Sequence, residues 1–368
     1  MKVTIKYLYL GMLICSVLGT IAFLMSVTQI YSRYSVQLKE KRCYQFLLSN
    51  LSSQEGGILR RLPLENREQA PVSLLSESVG LFMLYAAHIG DKATFDQQAK
   101  LVQNVFMAST GLLYWEVKLP SRKPENSSAS LDDLRIAAAL ILGYEKWKER
   151  SYKELALTLS EGMLKHNIVN GDLFIQAYSW DKNGGYKDPV VDLSYLDLWA
   201  MKKLETVDPA WKPVIQKSEE LLQKGLTPAG LFYDKYHSKY GENFFGDKNL
   251  INNLLCSLYL TQMGISDSGV YDFFKKVWET NQKIPGKFDP ETAKPMADFE
   301  NISVYAILMQ VAVAKKDFEF AEKLYHKIVS YQVTDKASYF YGAFVLDEAH
   351  SFDNLQALLA FYEFRKKR

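Results

Sequence analysis

The feature that most constrains the fold is a regular alternation of short and long links between apolar segments. Twelve segments carry apolar residues at the i, i+3, i+4 spacing of a helix with one buried face. Within successive pairs the links are short and polar, whereas most links between pairs are long. The twelve predicted helices are 73–89, 92–108, 131–149, 151–166, 192–205, 209–224, 247–263, 267–280, 300–315, 317–331, 337–349 and 352–366.

Short links between helices produce antiparallel hairpins. Six hairpins in series, with short turns at one end and long loops at the other, are typical of an (α/α)6 toroid. In that architecture the first helix of each pair belongs to an inner ring, and the long loops build one face. We therefore predict an all-α protein built on an (α/α)6 barrel. The main alternative is a helical-repeat solenoid, but the sequence shows no repeat of fixed period.

An apolar segment without charged residues, Tyr7 to Ile30, precedes this region. At about 1.5 Å per helical residue it is long enough to cross a hydrocarbon core of about 30 Å. Because no small-x-small cleavage site follows, the sequence favours a retained signal anchor over a cleaved signal peptide. We expect a transmembrane anchor at 1–35, a stalk and linker at 36–71, and the barrel domain at 72–368. The barrel would then lie outside the cell membrane on a single pass, or be secreted if the segment is cleaved.

Charge and cysteine content exclude several classes of function. The 44 Lys and Arg residues nearly balance 42 Asp and Glu residues, so no basic excess favours nucleic acid as a partner. The three cysteines form no CxxC pair and indicate neither a disulfide framework nor a zinc site. The five histidines show no HExxH spacing. We expect no metal and no cofactor.

Acidic residues recur at the starts of the predicted inner helices. Each one alone would serve as a helix cap or as a partner of the helix dipole. If the inner helices are parallel, however, these acids would ring one cavity mouth, where like charges and apolar neighbours raise carboxyl pKa values. The acids are Glu77, Asp132, Asp133, Asp192, Asp247 and Glu300.

Glycosidic bond cleavage uses this kind of arrangement. One protonated carboxyl group donates to the leaving oxygen, and a second, ionised group activates water or attacks carbon. The predicted long loops are rich in aromatic residues, which suit stacking on sugar rings, and loops on a rigid scaffold are where function usually lies. The candidates for contact with sugar are Trp115, Tyr186, Tyr195 and Tyr233, of which Tyr195 could equally be a buried ring.

Three segments carry a resemblance to the family 8 glycoside hydrolases. The segment 76–83, SESVGLFM, is similar to the family's S-E-G-x-G-Y-G-M segment and keeps its Ser, Glu, second Gly and Met. Shortly after it, Gly90-Asp91-Lys92 resembles the family's GDK turn. The segment 111–115, GLLYW, resembles its GL-x-x-W segment. The resemblance implies an (α/α)6 barrel, an inverting mechanism, and Glu77 as the general acid.

Two further site residues come from the same resemblance. The segment 129–137, ASLDDLRIA, is similar to A-[ST]-D-[AG]-D-x-x-[IM]-A, although Leu131 replaces the first Asp. The carboxylate that holds the sugar at the cleavage point is therefore placed at Asp133, with Asp132 as the alternative. The general base is placed at Asp247, which occupies the matching position at the start of a later inner helix, although the family's Arg is absent there.

These expectations combine into one leading hypothesis and two alternatives. The leading hypothesis is an endo-acting, inverting glycoside hydrolase that cleaves an extracellular polysaccharide. Exported relatives of this family often accompany exopolysaccharide synthesis, so a synthase complex at the membrane is a possible partner. One alternative is a polysaccharide lyase on the same toroid, for which His237 lies in a suitable loop but Arg is scarce. The other is a non-catalytic, polysaccharide-binding subunit of a membrane synthase, which the departures from the motifs favour.

Overall fold

The computed structural model describes residues 33–65 and 72–367. Within these ranges the chain forms twelve α-helices, numbered here in chain order. They are α1 (33–49), α2 (Ser76–Ile89), α3 (Lys92–Leu101), α4 (Ser130–Trp147), α5 (Arg150–His166), α6 (Leu198–Glu205), α7 (Trp211–Lys224), α8 (Leu250–Gln262), α9 (Val270–Asn281), α10 (Ile302–Ala314), α11 (Phe318–Val329) and α12 (Ser351–Lys367). A π-helical turn at Val102–Phe106 extends α3, and a 3-10 turn at Leu193–Tyr195 precedes α6.

The even-numbered helices form a closed inner ring. Each packs against the next, from α2 through α4, α6, α8 and α10 to α12, and α12 closes on α2. The outer helices α3, α5, α7, α9 and α11 each pack on the inner helix that precedes them in the chain. Helix α1 packs on α12, where the Cys43 thiol lies 3.4 Å from Asn354 Oδ1 and Arg365 pairs with Glu40. The predicted (α/α)6 toroid is therefore confirmed.

The inner and outer helices differ in their apolar pattern. In α10, ISVYAILMQVAVA, every residue except the last is buried, as expected for a helix that is apolar on all sides. In α11 the buried residues follow one stripe, Phe320, Ala321, Leu324, Tyr325 and Ile328. A one-sided stripe places a helix at the surface, so the sequence itself sorts the helices between the rings.

The long loops between hairpins fold into small antiparallel sheets at the amino ends of the inner helices. The prediction of an all-α chain omitted these sheets, because strands of two to five residues give little periodic signal. The sheets pair as β1–β15, β2–β3–β4, β5–β8–β9, β6–β7, β10–β11–β12 and β13–β14. The strands are β1 (Arg61–Pro63), β2 (Ser73–Leu75), β3 (Glu116–Lys118), β4 (Lys123–Pro124), β5 (Ser127–Ala129), β6 (Ile168–Val169), β7 (Leu173–Phe174), β8 (Ala177–Asp181), β9 (Gly184–Lys187), β10 (Val190–Asp192), β11 (Lys235–His237), β12 (Glu242–Phe244), β13 (Phe288–Asp289), β14 (Lys294–Pro295) and β15 (Glu348–His350).

One predicted helix is wrong, and the sixth pair is arranged differently from the prediction. The segment expected as its outer helix, 352–366, forms the inner helix α12. Residues 337–349 form turns and strand β15, and Gly342 adopts φ 93° where a Cβ atom would lie 2.5 Å from the Arg42 carbonyl oxygen. Such a close approach in the left-handed region is suited to glycine. The outer helix of the sixth pair is α1, from the other end of the described chain, which the sequence assigned to a stalk. Its residues Cys43, Phe46 and Leu47 belong to the hydrophobic core.

Three of the acids expected in first helical turns precede their helices. Asp192 ends strand β10, Asp247 stands three residues before α8, and Glu300 stands two residues before α10. The caps explain this, because Asn249 and Asn301 cap α8 and α10 and place the helix starts after the acids. No helix among the described residues is long and apolar enough to cross a membrane. The predicted anchor at Tyr7–Ile30 lies outside the described ranges.

Candidate active site

Glu77 lies in the first turn of α2 and borders a cavity at the loop end of the toroid. The cavity has a volume of about 460 Å³ and opens to solvent. Parallel inner helices direct their amino ends to this side, as the alternation of links predicted. The cavity is lined by Arg60, Leu75, Glu77, Leu131, Arg135, Ser194, Tyr195, Asn249, Ile251, Asn252, Leu255, His350, Ser351 and Phe352.

The environment of Glu77 favours its protonated form. Burial and the negative charge of Asp132 raise the pKa of the Glu77 carboxyl group to about 7. The positive charges of Arg135 and Arg60 act in the opposite direction, and Asp353 adds a smaller upward effect. A carboxyl group that is still substantially protonated near neutral pH is suited to general acid catalysis.

Asp132 is held next to Glu77 by the start of α2. Its carboxylate accepts a 2.7 Å hydrogen bond from the Ser76 hydroxyl group and a hydrogen bond from the Glu77 backbone N–H. Burial raises the pKa of Asp132 to about 6, while the Ser76 bond and the charge of Arg135 oppose that shift. The two carboxyl groups therefore share one electrostatic environment, in which protonating one makes it easier to ionise the other.

Asp133, the residue first assigned to hold the sugar, lies in the protein interior. It is fully buried, its Oδ1 accepts a 3.0 Å hydrogen bond from the Leu113 backbone N–H, and its Oδ2 has no partner among the described residues. Burial raises the pKa of Asp133 well above its usual range. Neither Asp132 nor Asp133 is on the cavity wall, but Asp132 is the one that the structure brings together with Glu77.

Asp247 lies in the loop before α8, on the same end of the toroid as Glu77. It is exposed, and its Oδ1 accepts a 3.3 Å hydrogen bond from the Asn249 backbone N–H. Asn249 lines the cavity, whereas Asp247 does not. The loop is organised by buried Asp234, whose Oδ2 accepts hydrogen bonds from the N–H groups of Gly246 and Lys248. Asp247 is thus two residues away from the cavity wall.

The other two acids of the predicted ring have different surroundings. Asp192 is buried and accepts hydrogen bonds from the backbone N–H and hydroxyl groups of Ser194, and burial raises its pKa to about 6. Glu300 pairs with Lys327 at 2.7 Å and accepts a hydrogen bond from Tyr305, which together hold its pKa below the usual range against burial. Asp192 is close to the site through Ser194, whereas Glu300 is already engaged in an ion pair.

Of the four aromatic candidates, Tyr195 alone is on the cavity wall. Burial and the charges of Asp132, Asp192 and Glu77 raise the pKa of its phenol, which places the ring among the acids. Tyr186 is 63% exposed, and half-buried Tyr233 stacks on Phe245 with ring centroids 4.7 Å apart. Trp115 is half-buried, and its carbonyl oxygen accepts a 3.1 Å hydrogen bond from the Ser76 N–H.

Sequence reasoning missed Arg135, which lies on the cavity wall. It is 3% exposed and donates a 3.0 Å hydrogen bond from Nη2 to the Tyr259 hydroxyl oxygen. A single arginine in an apolar helix ordinarily extends to solvent, so the sequence carried no signal for a buried guanidinium.

A helical toroid with one carboxyl group of raised pKa at an open cavity and a second carboxyl group beside it is the arrangement expected of a glycoside hydrolase. Residues 37–283 match the model of the glycosyl hydrolases family 8. The protein belongs to that family.

Three known proteins illustrate the similarity. The protein YdaJ of Bacillus subtilis (strain 168), provisionally described as a lipoprotein, is 27% identical over 294 residues, which are 78% of either chain. The structure of an alpha-amylase from Clostridium perfringens aligns with a TM-score of 0.80 at 27% identity, covering 89% of this chain and 97% of the other. The endoglucanase Cel10 of Klebsiella pneumoniae, a family 8 glycosyl hydrolase, aligns with a TM-score of 0.62 at 16% identity. That alignment covers 88% of this chain and 99% of the other.

Proposed function

We propose that this glycoside hydrolase is endo-acting and inverting, with Glu77 as general acid and Asp247 as general base, and that it cleaves an extracytoplasmic polysaccharide. The observation that carries the proposal is the placement of Glu77 at the open cavity, with its pKa raised to about 7 by burial and by Asp132. A general acid must hold a proton and be open to substrate, and Glu77 meets both conditions.

The reaction needs one proton donor and one activated water. Glu77 gives its proton to the glycosidic oxygen while the bond from that oxygen to the anomeric carbon breaks. Water attacks the opposite face of that carbon, and the base takes a proton from the water. The base then carries the proton and Glu77 is ionised, so exchange with solvent restores both groups.

Asp247 is proposed as the base because it is exposed at the same end of the toroid and its loop reaches the cavity at Asn249. An inverting pair is separated by about 6.5–9.5 Å to leave room for water, so a base outside the shell that surrounds Glu77 is expected. Asp192 is the second candidate, since its neighbours Ser194 and Tyr195 line the cavity.

For the sugar-holding carboxylate we propose Asp132 rather than Asp133, because Asp132 is bound to the Ser76–Glu77 turn. Tyr195 on the cavity wall would pack on or hydrogen-bond the sugar next to it. Trp115, Tyr186 and Tyr233, which lie outside this cavity, would contact sugars farther along the polymer.

The substrate we propose is a bacterial exopolysaccharide, met outside the membrane by a protein held at its amino terminus. The lipoprotein description of YdaJ supports the membrane location. A synthase complex that exports the polymer is the corresponding partner. The similarity to the Clostridium perfringens alpha-amylase favours a second candidate, an α-glucan, as the polymer that is cut.

The test is hydrolysis by the full-length protein of exopolysaccharides and α-glucans, measured as reducing ends. Proton NMR at early times identifies the anomer released, and the proposal expects the configuration opposite to that of the bond cleaved. Activity should fall as pH rises through about 7, where Glu77 loses its proton. A retained configuration would contradict the inverting mechanism, a product with near-ultraviolet absorbance would indicate a lyase, and binding without cleavage would indicate the non-catalytic alternative.

A further inference from the structure

We propose that Arg135 is a positioning residue whose buried positive charge favours the ionised forms of both Asp132 and Glu77, an inference that rests on the proposed function. The first observation is burial. Arg135 is the one basic residue among the described residues that is buried, at 3% exposure. A buried charge is costly unless other groups compensate it, so its surroundings indicate its role.

The surroundings of Arg135 are acidic on two sides. Glu77 lines one cavity together with Arg135, whereas Asp197 and Tyr259 line another together with it. Asp132 lies three residues before Arg135 on the same face of α4, and all four groups act electrostatically on the guanidinium. It donates a hydrogen bond to the neutral Tyr259 hydroxyl group, and its Nη1 has no partner among the described residues. The guanidinium therefore does not form a bidentate ion pair with a single carboxylate. Its charge acts on the carboxyl groups of Glu77, Asp132 and Asp197.

Gly80 allows the helix that carries Arg135 to approach the helix that carries Glu77. Gly80 follows Glu77 by about one helical turn, on the same face of α2. A Cβ atom at Gly80 would lie 3.3 Å from Arg135 Cβ and 3.2 Å from Ile136 Cγ1. The missing side chain lets α4 pack closely against α2 one turn after Glu77, at the level of Arg135.

Arg135 also stands between two cavities. It lines the cavity of Glu77 and a second one of about 340 Å³ that opens at the opposite end of the ring. The second cavity contains Asp197 and Tyr259 but not Glu77. Arg135 thus connects the catalytic acids electrostatically with Asp197, which caps α6 by accepting a 3.0 Å hydrogen bond from the Ala200 N–H.

The charges that face these groups come from several elements. Glu77 meets Asp132 and Arg135 from α4, Arg60 from the segment before β1, and Asp353 from α12, and Tyr195 faces it from the 3-10 turn. His350 lines the same cavity. Among the cations, Arg60 is half exposed and pairs with Glu116 at 3.6 Å, so water screens it. Arg135 is the buried cation, and a guanidinium stays charged throughout the working pH range.

The proposal makes opposite predictions for two substitutions. Arg135→Gln removes the positive charge, so the proton affinities of Glu77 and Asp132 should both rise. Asp197→Asn removes a negative charge on the far side of Arg135, so both affinities should fall, while asparagine keeps the cap of α6. Arg135→Lys keeps the charge and should leave the affinities near their original values.

The experiment measures these affinities in the full-length protein without substrate. For each background, the unfolding free energy is compared with that of the same protein carrying Glu77→Gln, from pH 4 to pH 9. If the pKa of Glu77 is higher in the folded state than in the unfolded state, the folded protein binds more protons between the two pKa values. The protein with Glu77 therefore loses stability relative to its Glu77→Gln counterpart as pH rises from the unfolded pKa of about 4.3 to the folded pKa. Above the folded pKa the difference in unfolding free energy is constant. The pH at which the difference levels off gives the folded value.

The expected results are a levelling pH raised by about one unit in Arg135→Gln and lowered in Asp197→Asn. The pH limits of kcat/KM should move in the same directions. The inference would be overturned if the levelling pH were unchanged in both Arg135→Gln and Asp197→Asn. It would also be overturned if Arg135→Gln and Arg135→Lys shifted the levelling pH equally. If Arg135→Gln does not fold, the other two variants test the inference. It then requires that the levelling pH falls in Asp197→Asn and stays unchanged in Arg135→Lys. Because the stability readout needs no turnover, failure of the proposed hydrolysis would be seen separately, as absence of cleavage by the unmodified protein.

Discussion

The two walls of the candidate site are built in different ways. On one side, Glu77 and Asp132 stand in the first turns of α2 and α4, and hydrogen bonds join the two helix starts. On the other side, Asp192, Asp234 and Asp247 lie in the strands and loops that precede α6 and α8. The wall that carries the proposed acid is fixed by helix packing, whereas the wall that carries the proposed base is fixed by loop conformation.

This difference explains which motifs are retained. A proton donor needs a defined dielectric environment, which the crossing of α2 and α4 at Gly80 supplies through the backbone. A base that activates water needs access and a suitable distance, and loops of various sequences can provide these. The segment of the proposed acid Glu77 therefore keeps several residues of the family pattern, whereas the segment of the proposed base Asp247 keeps only its position and one carboxylate.

The largest effect is expected for the acid itself. Glu77→Gln should lower kcat by roughly 10³-fold, since general acid catalysis contributes about 10²–10⁴-fold. The measurement is the release of reducing ends. Glu319→Gln is the matched control, because Glu319 is exposed on an outer helix and pairs only with Lys323 among the described residues. Equal activity in the two variants would remove Glu77 from the mechanism.

The base wall should give the next largest effect. Asp247→Asn should lower kcat by about 10²-fold or more, because water would lose its proton acceptor. Asp192→Asn should cost less, since Asp192 acts mainly by positioning Ser194 and, through it, the turn that carries Tyr195. Both are compared by kcat at the pH optimum. The reverse order would transfer the base to Asp192.

The neighbouring acids Asp132 and Asp133 allow a sharper comparison. Asp132→Asn should lower kcat/KM by about 10-fold to 10²-fold. The substitution should also shift the alkaline limit of the pH–activity profile to a lower pH than in the unmodified protein, because the charge of Asp132 raises the pKa of Glu77. Asp133→Asn should change activity little, since Asp133 is fully buried away from the cavity wall and asparagine has nearly its shape. A larger loss of activity in Asp133→Asn would restore the first assignment.

The smallest effect concerns the hydrogen bond between the two helix starts. Ser76→Ala removes a donor to Asp132 and should raise the pKa of that carboxyl group further. The expected outcome is a loss of a few-fold in kcat/KM on the acid side of the pH profile, with the alkaline side little changed. Ser78→Ala, on the same turn, serves as the control because Ser78 bonds to Ser351 instead. Identical profiles in the two variants would show that the Ser76 bond is unimportant.

The alternation of links was sufficient to predict the toroid, because hairpin geometry follows from link length. Two features of the molecule could be determined only from the three-dimensional structure. The first is the direction of a carboxylate on a helix, since adjacent residues such as Asp132 and Asp133 point about 100° apart, and only packing shows which one meets Glu77. The second is the sixth pair, in which the predicted outer helix 352–366 forms inner helix α12 and α1 supplies the outer helix. The approach of Gly342 to Arg42 in this pair is a contact between distant parts of the chain.

The position of α1 in the outer ring determines at which face of the toroid the described chain begins. Like the other outer helices, α1 runs opposite to the inner ones. Glu40 pairs with Arg365 near the end of α12, whereas Cys43, farther along α1, contacts Asn354 near the start of α12. Its end lies toward the loop face, where Asn50 bonds to the Tyr339 carbonyl oxygen. The chain therefore enters the toroid at the face opposite the cavity. If the proposed membrane attachment is through the amino terminus, it would join the toroid at residue 33, on the face opposite the cavity, and leave the cavity mouth open to polymer.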